Sequence, residues 1–571
     1  MLSLLLLPMA LLLLVYVIPL SKIVWLSIGG WDMTLEHFQR LFQDDLFRII
    51  FMRTVWIAMV VTILSLIIGY PVALLIAHVP PRTASLLLML VIIPMWTSIL
   101  VRSYSWMVIL GRQGIVNSSL QELGLTDQPL KLLYTRFTVY VGMLHIMLPF
   151  MVLPILNTMR QIPPLLGNAA LTLGAGPLRT FWLVYFPLSL PGVVAGCTLV
   201  AILSLGFFVT PALLGGAKDT TFVLLIDRYV RAIRDWEMAS AMSIALLMAV
   251  LALVLFTQFK PAGQTSGQAS PGKLTRLVLK LARFCATPRN PVADAPSPAG
   301  GQHVKRSGGS REQRRGAGFW SSLLGIGGLL FLSLPLVIII VLAFSDSPFL
   351  KFPPTGFSLR WFENFLNRPD WINAAWTSLR VGLMTMVVAT FCGSLAAIAL
   401  ERGRFKGRGV LYGILISPLV VPVIVLAIAV YFVFAPLGLV GTQLGLVLAH
   451  SILAMPFVII VVTGALKDSN IMLENAARTL GASPIKAFLK VTLPTIRPGV
   501  AAAALFAFLA SFDELVIALF IAGTGSRTLP KRMWEGIREE IDPTIAAVAA
   551  ILIALTLVLI AAAELIRNRS R

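Results

Sequence analysis

The chain has 571 residues, 58% of them hydrophobic and 12% charged, with a mean hydropathy of +0.89, and a soluble protein of this length needs far more polar surface. The formal net charge of +21 raises a nucleic-acid partner, but no platform of interleaved aromatic and basic residues supports one. Cys197, Cys285 and Cys392 are scattered and the five histidines dispersed, so no metal or redox spacing arises, and no GxxxxGK[ST] loop is present to cradle ATP.

Apolar runs of about 20 residues are long enough to cross a bilayer as helices. Twelve are expected, beginning with 3–26, which is too long and lacks the cationic start of a signal peptide. The others are 54–78, 84–110, 137–159, 188–214, 237–259, then 319–344, 371–400, 409–436, 443–466, 495–522 and 543–566. They run continuously apolar rather than alternating, which predicts an all-α polytopic membrane protein and not a barrel. His145 and His450 fall singly inside spans and read as hydrogen-bonded structural residues.

Residues 260–318 interrupt this pattern with Pro, Gly, Ser, Ala and eleven basic residues, a composition that builds no core and predicts a disordered linker. Within it, "KLTRLVLKLARF" (273–284) sets Leu274, Leu277, Val278 and Leu281 on one helical face, which suits a helix lying on an anionic leaflet. An unstructured basic tether is the other reading. The linker separates a first half, 1–259, from a second, 319–571, each of six spans. Basic residues exceed acidic ones on the face holding the linker and "ERGRFKGR" (401–408), and balance them on the other. That bias places both termini and the linker in the cytoplasm.

The halves repeat. At a fixed offset of 307, residues 168–193 match 475–500 without a gap at 14 of 26 positions, from "NAALTLGAGP" and "NAARTLGASP" onward. Pro149-Phe150 meets Pro456-Phe457 in the same register, and "TLEHFQRLF" (34–42) resembles "SLRWFENFL" (358–366). The densest likeness lies in the loops 160–187 and 467–494 rather than in the spans, which argues for a shared partner surface. Two like surfaces imply a partner present in two copies. Each loop reads as a slim helix, a glycine turn at Gly174 or Gly481, and a second helix opened by proline.

These loops resemble the "EAA---G---------I-LP" segment of the permease subunits of binding-protein-dependent ABC importers, through Asn168-Ala169-Ala170, Gly174 and Pro187, and Asn475-Ala476-Ala477, Gly481 and Pro494. Asn replaces the usual leading Glu in both copies, while Glu474 precedes the second and Gly167 the first. The resemblance extends to the paired permeases of spermidine/putrescine importers. "IPMWTSILVRSYSW" (93–106) and "SLGFFVTPALLGG" (204–216) are similar to the first of them. "SFDELVIALFIAG" (511–523) and "TLPKRMWEGIREEIDPTIAAVAAILIAL" (528–555) are similar to the second, so the two look fused. The resemblance implies a type I ABC importer permease in a bacterial inner membrane, with no cofactor of its own. Its partners would be two ATPase copies that bind ATP and Mg²⁺, a solute-binding protein, and membrane lipid. Relatives import opines, aminobutyrate, aminoethylphosphonate, thiamine or iron, and an ion-gradient-driven transporter of two six-span halves is the rival class.

Asp513 and Glu514 lie well inside a predicted span, where a charge costs about 2.5–3.5 kcal/mol on insertion scales and is kept for a pathway or a partner. On a helix these neighbours point about 100° apart, one to the lumen and one to a neighbouring span. The resemblance implicates Ser511, Asp513 and Glu514 in the passage of a cation; a structural ion pair with Arg102 or Arg380 is the alternative. Trp96, Tyr104 and Trp106 offer cation–π faces to an amine, or serve as interface anchors.

Overall fold

The computed structural model describes residues 2–258, 319–348, 352–403, 405–539 and 542–569. The linker and its amphipathic stretch, 273–284, lie outside the described residues. The first half contains α1 (Ser3–Ser27), α2 (Glu36–Gln43), α3 (Asp45–His78), α4 (Pro81–Trp96), α5 (Ile99–Ile109) and α6 (Ile115–Glu122). It continues with α7 (Arg136–Arg160), α8 (Pro164–Thr172), α9 (Pro177–Leu205), α10 (Val209–Leu214), α11 (Phe222–Arg228) and α12 (Trp236–Gln258). The second half runs from α13 (Phe319–Ala343) through α14 (Arg360–Asn367), α15 (Pro369–Arg402), α16 (Arg408–Leu419), α17 (Val423–Phe434) and α18 (Gln443–Asp468). It ends with α19 (Ile471–Thr479), α20 (Pro484–Phe512), α21 (Val516–Ile521), α22 (Leu529–Glu539) and α23 (Thr544–Arg569).

Among the described residues nine helices are long and apolar enough to cross a membrane, and two further bent pairs pass the same test. With the shorter apolar segment Thr544–Leu559 they occupy the twelve expected positions. Four expected spans are not straight helices. The expected 84–110 bends by 97° between α4 and α5, and 409–436 by 92° between α16 and α17. The expected 188–214 and 495–522 stop at Leu205 and Phe512 and restart as the short α10 and α21. Hydropathy averages over such breaks because the flanking residues are apolar on both sides.

The repeat holds element by element. From α7 to α11 the helix starts of the two halves correspond at 307, as in α7 and α18, α8 and α19, and α10 and α21. Before that point three pairs correspond at 324: α2 and α14, α3 and α15, and α5 and α17. The difference is the segment that carries α6, for which the second half has no counterpart. Asn117 holds that segment shut: its amide donates to Gly111 O (2.9 Å) and Leu130 O (3.1 Å) and accepts from Leu130 N–H (2.8 Å).

Small residues let the spans approach, as packing in lipid requires. A Cβ on Gly192 would lie 2.6 Å from Thr158 Oγ1, and one on the equivalent Gly499 would lie 2.5 Å from Ala465 Cβ. Each half also lends its first span to the other. α13 lies against α3, where a Cβ on Gly328 would fall 2.6 Å from Val72 Cγ2, and α1 packs on α15 and α17. His145 on α7 joins this exchange, its Nε2 lying 3.0 Å from the carbonyl of Leu332 on α13.

Candidate functional site: two loops and a broken pair of spans

In the loops 160–187 and 467–494 the backbone does what the residues predict. Gly174 and Gly481 adopt φ of +82° and +89°, a left-handed turn that side chains disfavour. Pro177 and Pro484 then open the next helix, where a missing N–H costs nothing. A π-helical turn follows in each copy, Phe181–Tyr185 and Phe488–Thr492, just ahead of Pro187 and Pro494. Those prolines supply no donor to the ladder beneath them. Neither α8 nor α19 has a buried residue. Asn168, Ala169 and Ala170, like Asn475, Ala476 and Ala477, lie on these short helices, partly or fully exposed.

The loops differ in their anchors. In the second half Glu474 accepts from Thr492 Oγ1 (2.7 Å) and pairs with Arg402 Nε (3.8 Å), while Arg402 donates to Ser469 Oγ (2.9 Å). The ends of α15 and α18 are thereby tied to α19 and to the returning helix. The corresponding first-half positions are Gly167, Tyr185, His78 and Ile162, and there the His78 and Tyr185 rings pack 5.3 Å apart.

The acids sit in a break and not on a helix: α20 ends at Phe512 and α21 begins at Val516. Their directions are therefore set by turn geometry rather than by the 100° step. Asp513 turns toward the first half, where its Oδ2 accepts from Ile99 N–H (3.4 Å) at the start of α5, with Ser98 and Arg102 the neighbouring polar side chains. Glu514 stays in its own half. It caps α21 by accepting from Ile517 and Ala518 N–H (3.0 and 3.1 Å), and its Oε2 lies 3.5 Å from His450 Nε2. His450 Nδ1 reaches Ser511 Oγ at 2.8 Å. Both carboxylates thus occupy the positive end of a short helix.

Arg102 is 2% exposed and has no ion pair within 4.0 Å among the described residues, and its Nε and Nη1 have no hydrogen-bond partner. Arg380 is exposed on α15. Trp96 stacks on Phe506 of α20 at 4.7 Å, a contact between halves. Tyr104 is fully buried, and Trp106 packs on His145 and Phe331 at 5.9 and 5.2 Å. Of the three aromatics, Trp96 is the one joined to the helix that leads to Asp513.

A family model described as "Binding-protein-dependent transport system inner membrane component" matches residues 3–260 and again 389–571. The chain belongs to that family. It carries the permease module twice, in the all-α fold that two bundles of apolar helices make. The spermidine/putrescine transport system permease protein PotB of Haemophilus influenzae is 35% identical over 239 residues, 40% of this chain and 80% of the relative. PotB of Escherichia coli K12 is 36% identical over 227 residues (40% and 82%). PotC of the same organism is 34% identical over 239 residues (41% and 89%). Each relative spans less than half of this permease, so two such chains fit end to end within it. A solved bacterial alginate ABC transporter in complex with its alginate pentasaccharide-bound periplasmic protein has a TM-score of 0.36 and 19% identity, over 42% of this chain and 86% of that one; so slight a likeness carries no argument.

The permease has a loop feature that sequence reasoning missed. Three apolar residues stand exposed at equivalent places in both loops: Leu165 and Met472 (77% and 74%), Leu173 and Leu480 (87% and 88%), and Leu178 and Ile485 (76% and 73%). The signal was present at offset 307, but apolar side chains draw no notice in a chain this apolar. The exposure of this matched apolar set is a second likeness of the two loops, beside the backbone they share.

Proposed function

We propose that this permease is the membrane-spanning core of an ATP-driven importer, with the two subunits of the usual pair fused in one chain. The observation that carries the reading is the matched apolar triplet on the two loops. An even number of spans per half returns both loops to one side, and the charge bias makes that side cytoplasmic. Two copies of an ATPase dock there, through α8 and α19 and the turns at Gly174 and Gly481, and those partners bind ATP and Mg²⁺. A solute-binding protein delivers its cargo from the opposite face. An ion-gradient-driven carrier has no use for two like cytoplasmic loops.

The solute we infer is spermidine, putrescine or a similar amine. The names of the relatives support this, and so does the chemistry of the break at Asp513. A carboxylate in a poorly screened place attracts an ammonium strongly, and a break in the helix frees backbone carbonyls to complete its solvation. Glu514, already satisfied by α21 and facing His450, positions the break, while Asp513 faces the other half.

The test is reconstitution in liposomes with a candidate ABC ATPase and solute-binding protein from the same genome. Spermidine uptake should require ATP, and Asp513→Asn should reduce uptake per inserted chain by at least roughly tenfold, the size of a lost charge interaction of about 1.4 kcal/mol. Uptake driven by a proton gradient without the ATPase would overturn the class. Preference for an anionic opine would overturn the solute.

A further inference from the structure

Both halves break at the same place, after α9 and after α20, and part of what holds the two breaks is shared. A Cβ on Gly216 would lie 2.3 Å from Tyr134 O, and one on the equivalent Gly523 would lie 2.8 Å from Gly441 Cα. Tyr134 and Gly441 both have positive φ, +59° and +83°. This close backbone approach recurs in each half and belongs to the fold. A second hold exists in one half alone.

His450, on α18, is buried, and its Nδ1 lies 2.8 Å from Ser511 Oγ in the last turn of α20. Its Nε2 faces Glu514 Oε2 at 3.5 Å, and Glu514 caps α21 through Ile517 and Ala518 N–H. With Ser511 donating to Nδ1, the ring proton sits on Nε2, toward the carboxylate. One imidazole thus touches the end of one helix and the cap of the next, and Asp513 stands between the two contacts. At offset 307 the counterparts of His450, Ser511 and Glu514 are Met143, Ser204 and Phe207. Met143 is buried, and the Ser204 hydroxyl has no hydrogen-bond partner among the described residues. That break carries Gly206 where the other has Asp513, and packing fills it: a Cβ on Gly142 would fall 2.6 Å from Thr210 Cγ2, and one on Gly206 2.8 Å from Pro422 Cβ. The break therefore forms without an imidazole. The imidazole accompanies the carboxylate.

We propose that His450 is the positioning residue of the pathway: by gripping Ser511 and Glu514 it fixes the direction in which Asp513 presents its carboxylate to the other half. This rests on the pathway role given above to Asp513. The hydrogen bond that Asp513 Oδ2 receives from Ile99 N–H is long, 3.4 Å, and orients the carboxylate only weakly. The hold on its neighbours at 511 and 514 supplies the rest. A carboxylate already fixed in place gives up less freedom when an amine binds, so the grip acts on affinity for the solute.

The experiment uses the complete transporter in liposomes and compares His450→Met, the residue of the other half, with His450→Asn, which keeps an amide where Nδ1 meets Ser511. His450→Met should insert normally, quicken hydrogen exchange over 511–518, and raise the apparent KM for spermidine roughly three- to tenfold with a smaller change in kcat, the size of one lost hydrogen bond. His450→Asn should recover most of both losses. Should His450→Met fail to insert, Ser511→Ala removes the same hydrogen bond with little change of volume and is read in the same way. Unchanged exchange and KM in a normally inserted variant overturn the proposal. A double-mutant cycle separates positioning from mere stability. Added to Asp513→Asn, His450→Met should raise KM no further, because the group it orients is gone; additive losses overturn the proposal. If Asp513→Asn alone leaves spermidine uptake unchanged, the pathway reading fails instead. The grip is then judged by exchange over 511–518, which supports it if quickened in His450→Met and overturns it if unchanged.

Discussion

The two repeated loops share one backbone and one exposed surface, but they are fastened by different chemistry. The second is held by Glu474, Arg402, Thr492 and Ser469, a network of fixed directions. The first has the His78 and Tyr185 rings packed together at the same positions, and Gly167 leaves the carboxylate's place bare. What faces outward is alike in the two loops, while what faces the chain differs. The acid preceding the second motif is thus turned inward as an anchor. The loops present like surfaces on mounts of different chemistry.

The severest way to break this comparison is at the turns. Gly174→Pro and Gly481→Pro demand a φ near −65° where the chain has +82° and +89°. Each should abolish co-purification of the ATPase with a normally inserted chain, and loss in one variant alone would show that one loop dominates. A smaller effect is expected from Leu173→Asp or Leu480→Asp, which put a charge into a desolvated contact. Each should weaken ATPase binding by about 2 kcal/mol or more, measured by titration of the purified subunit. The anchors come next. Glu474→Gln leaves Arg402 short of a partner in a part-buried site, 11% and 15% exposed, and should cost about 1–3 kcal/mol of loop stability. Tyr185→Leu should cost about 0.5–1.5 kcal/mol. Hydrogen exchange over 164–172 and 471–479 reads both, and equal effects would erase the asymmetry. Smallest of all, cutting the chain near Gly300 and co-expressing the halves should leave uptake close to normal.

Much of this was legible in the residues. The register of 307 and the glycine turns follow from "NAALTLGAGP" and "NAARTLGASP", since φ freedom and a proline start are local properties. The bends were not legible. Pro422 stands at the break ahead of Val423, but Pro94, Pro149, Pro154 and Pro335 all lie inside continuing helices, so proline by itself did not tell a break from a helix. Nor could the sequence join Asp513 to Ile99, 414 positions away in the other half. Glu514 and its neighbour looked like helix residues because the apolar pattern runs through them; only the end of α20 at Phe512 reveals a turn there.

The exchange of first spans has a consequence in time. A ribosome releases α1 into the membrane long before α15 and α17, the helices it will lie against, have been made. Throughout that interval the nascent first half exposes a helix face to lipid or to chaperones. α13 meets the opposite situation, entering to find α3 already waiting. Synthesis as one polypeptide keeps the eventual partners within a tether's reach of each other, so the orphan face is covered by its own sister half and not by a stray copy from another ribosome.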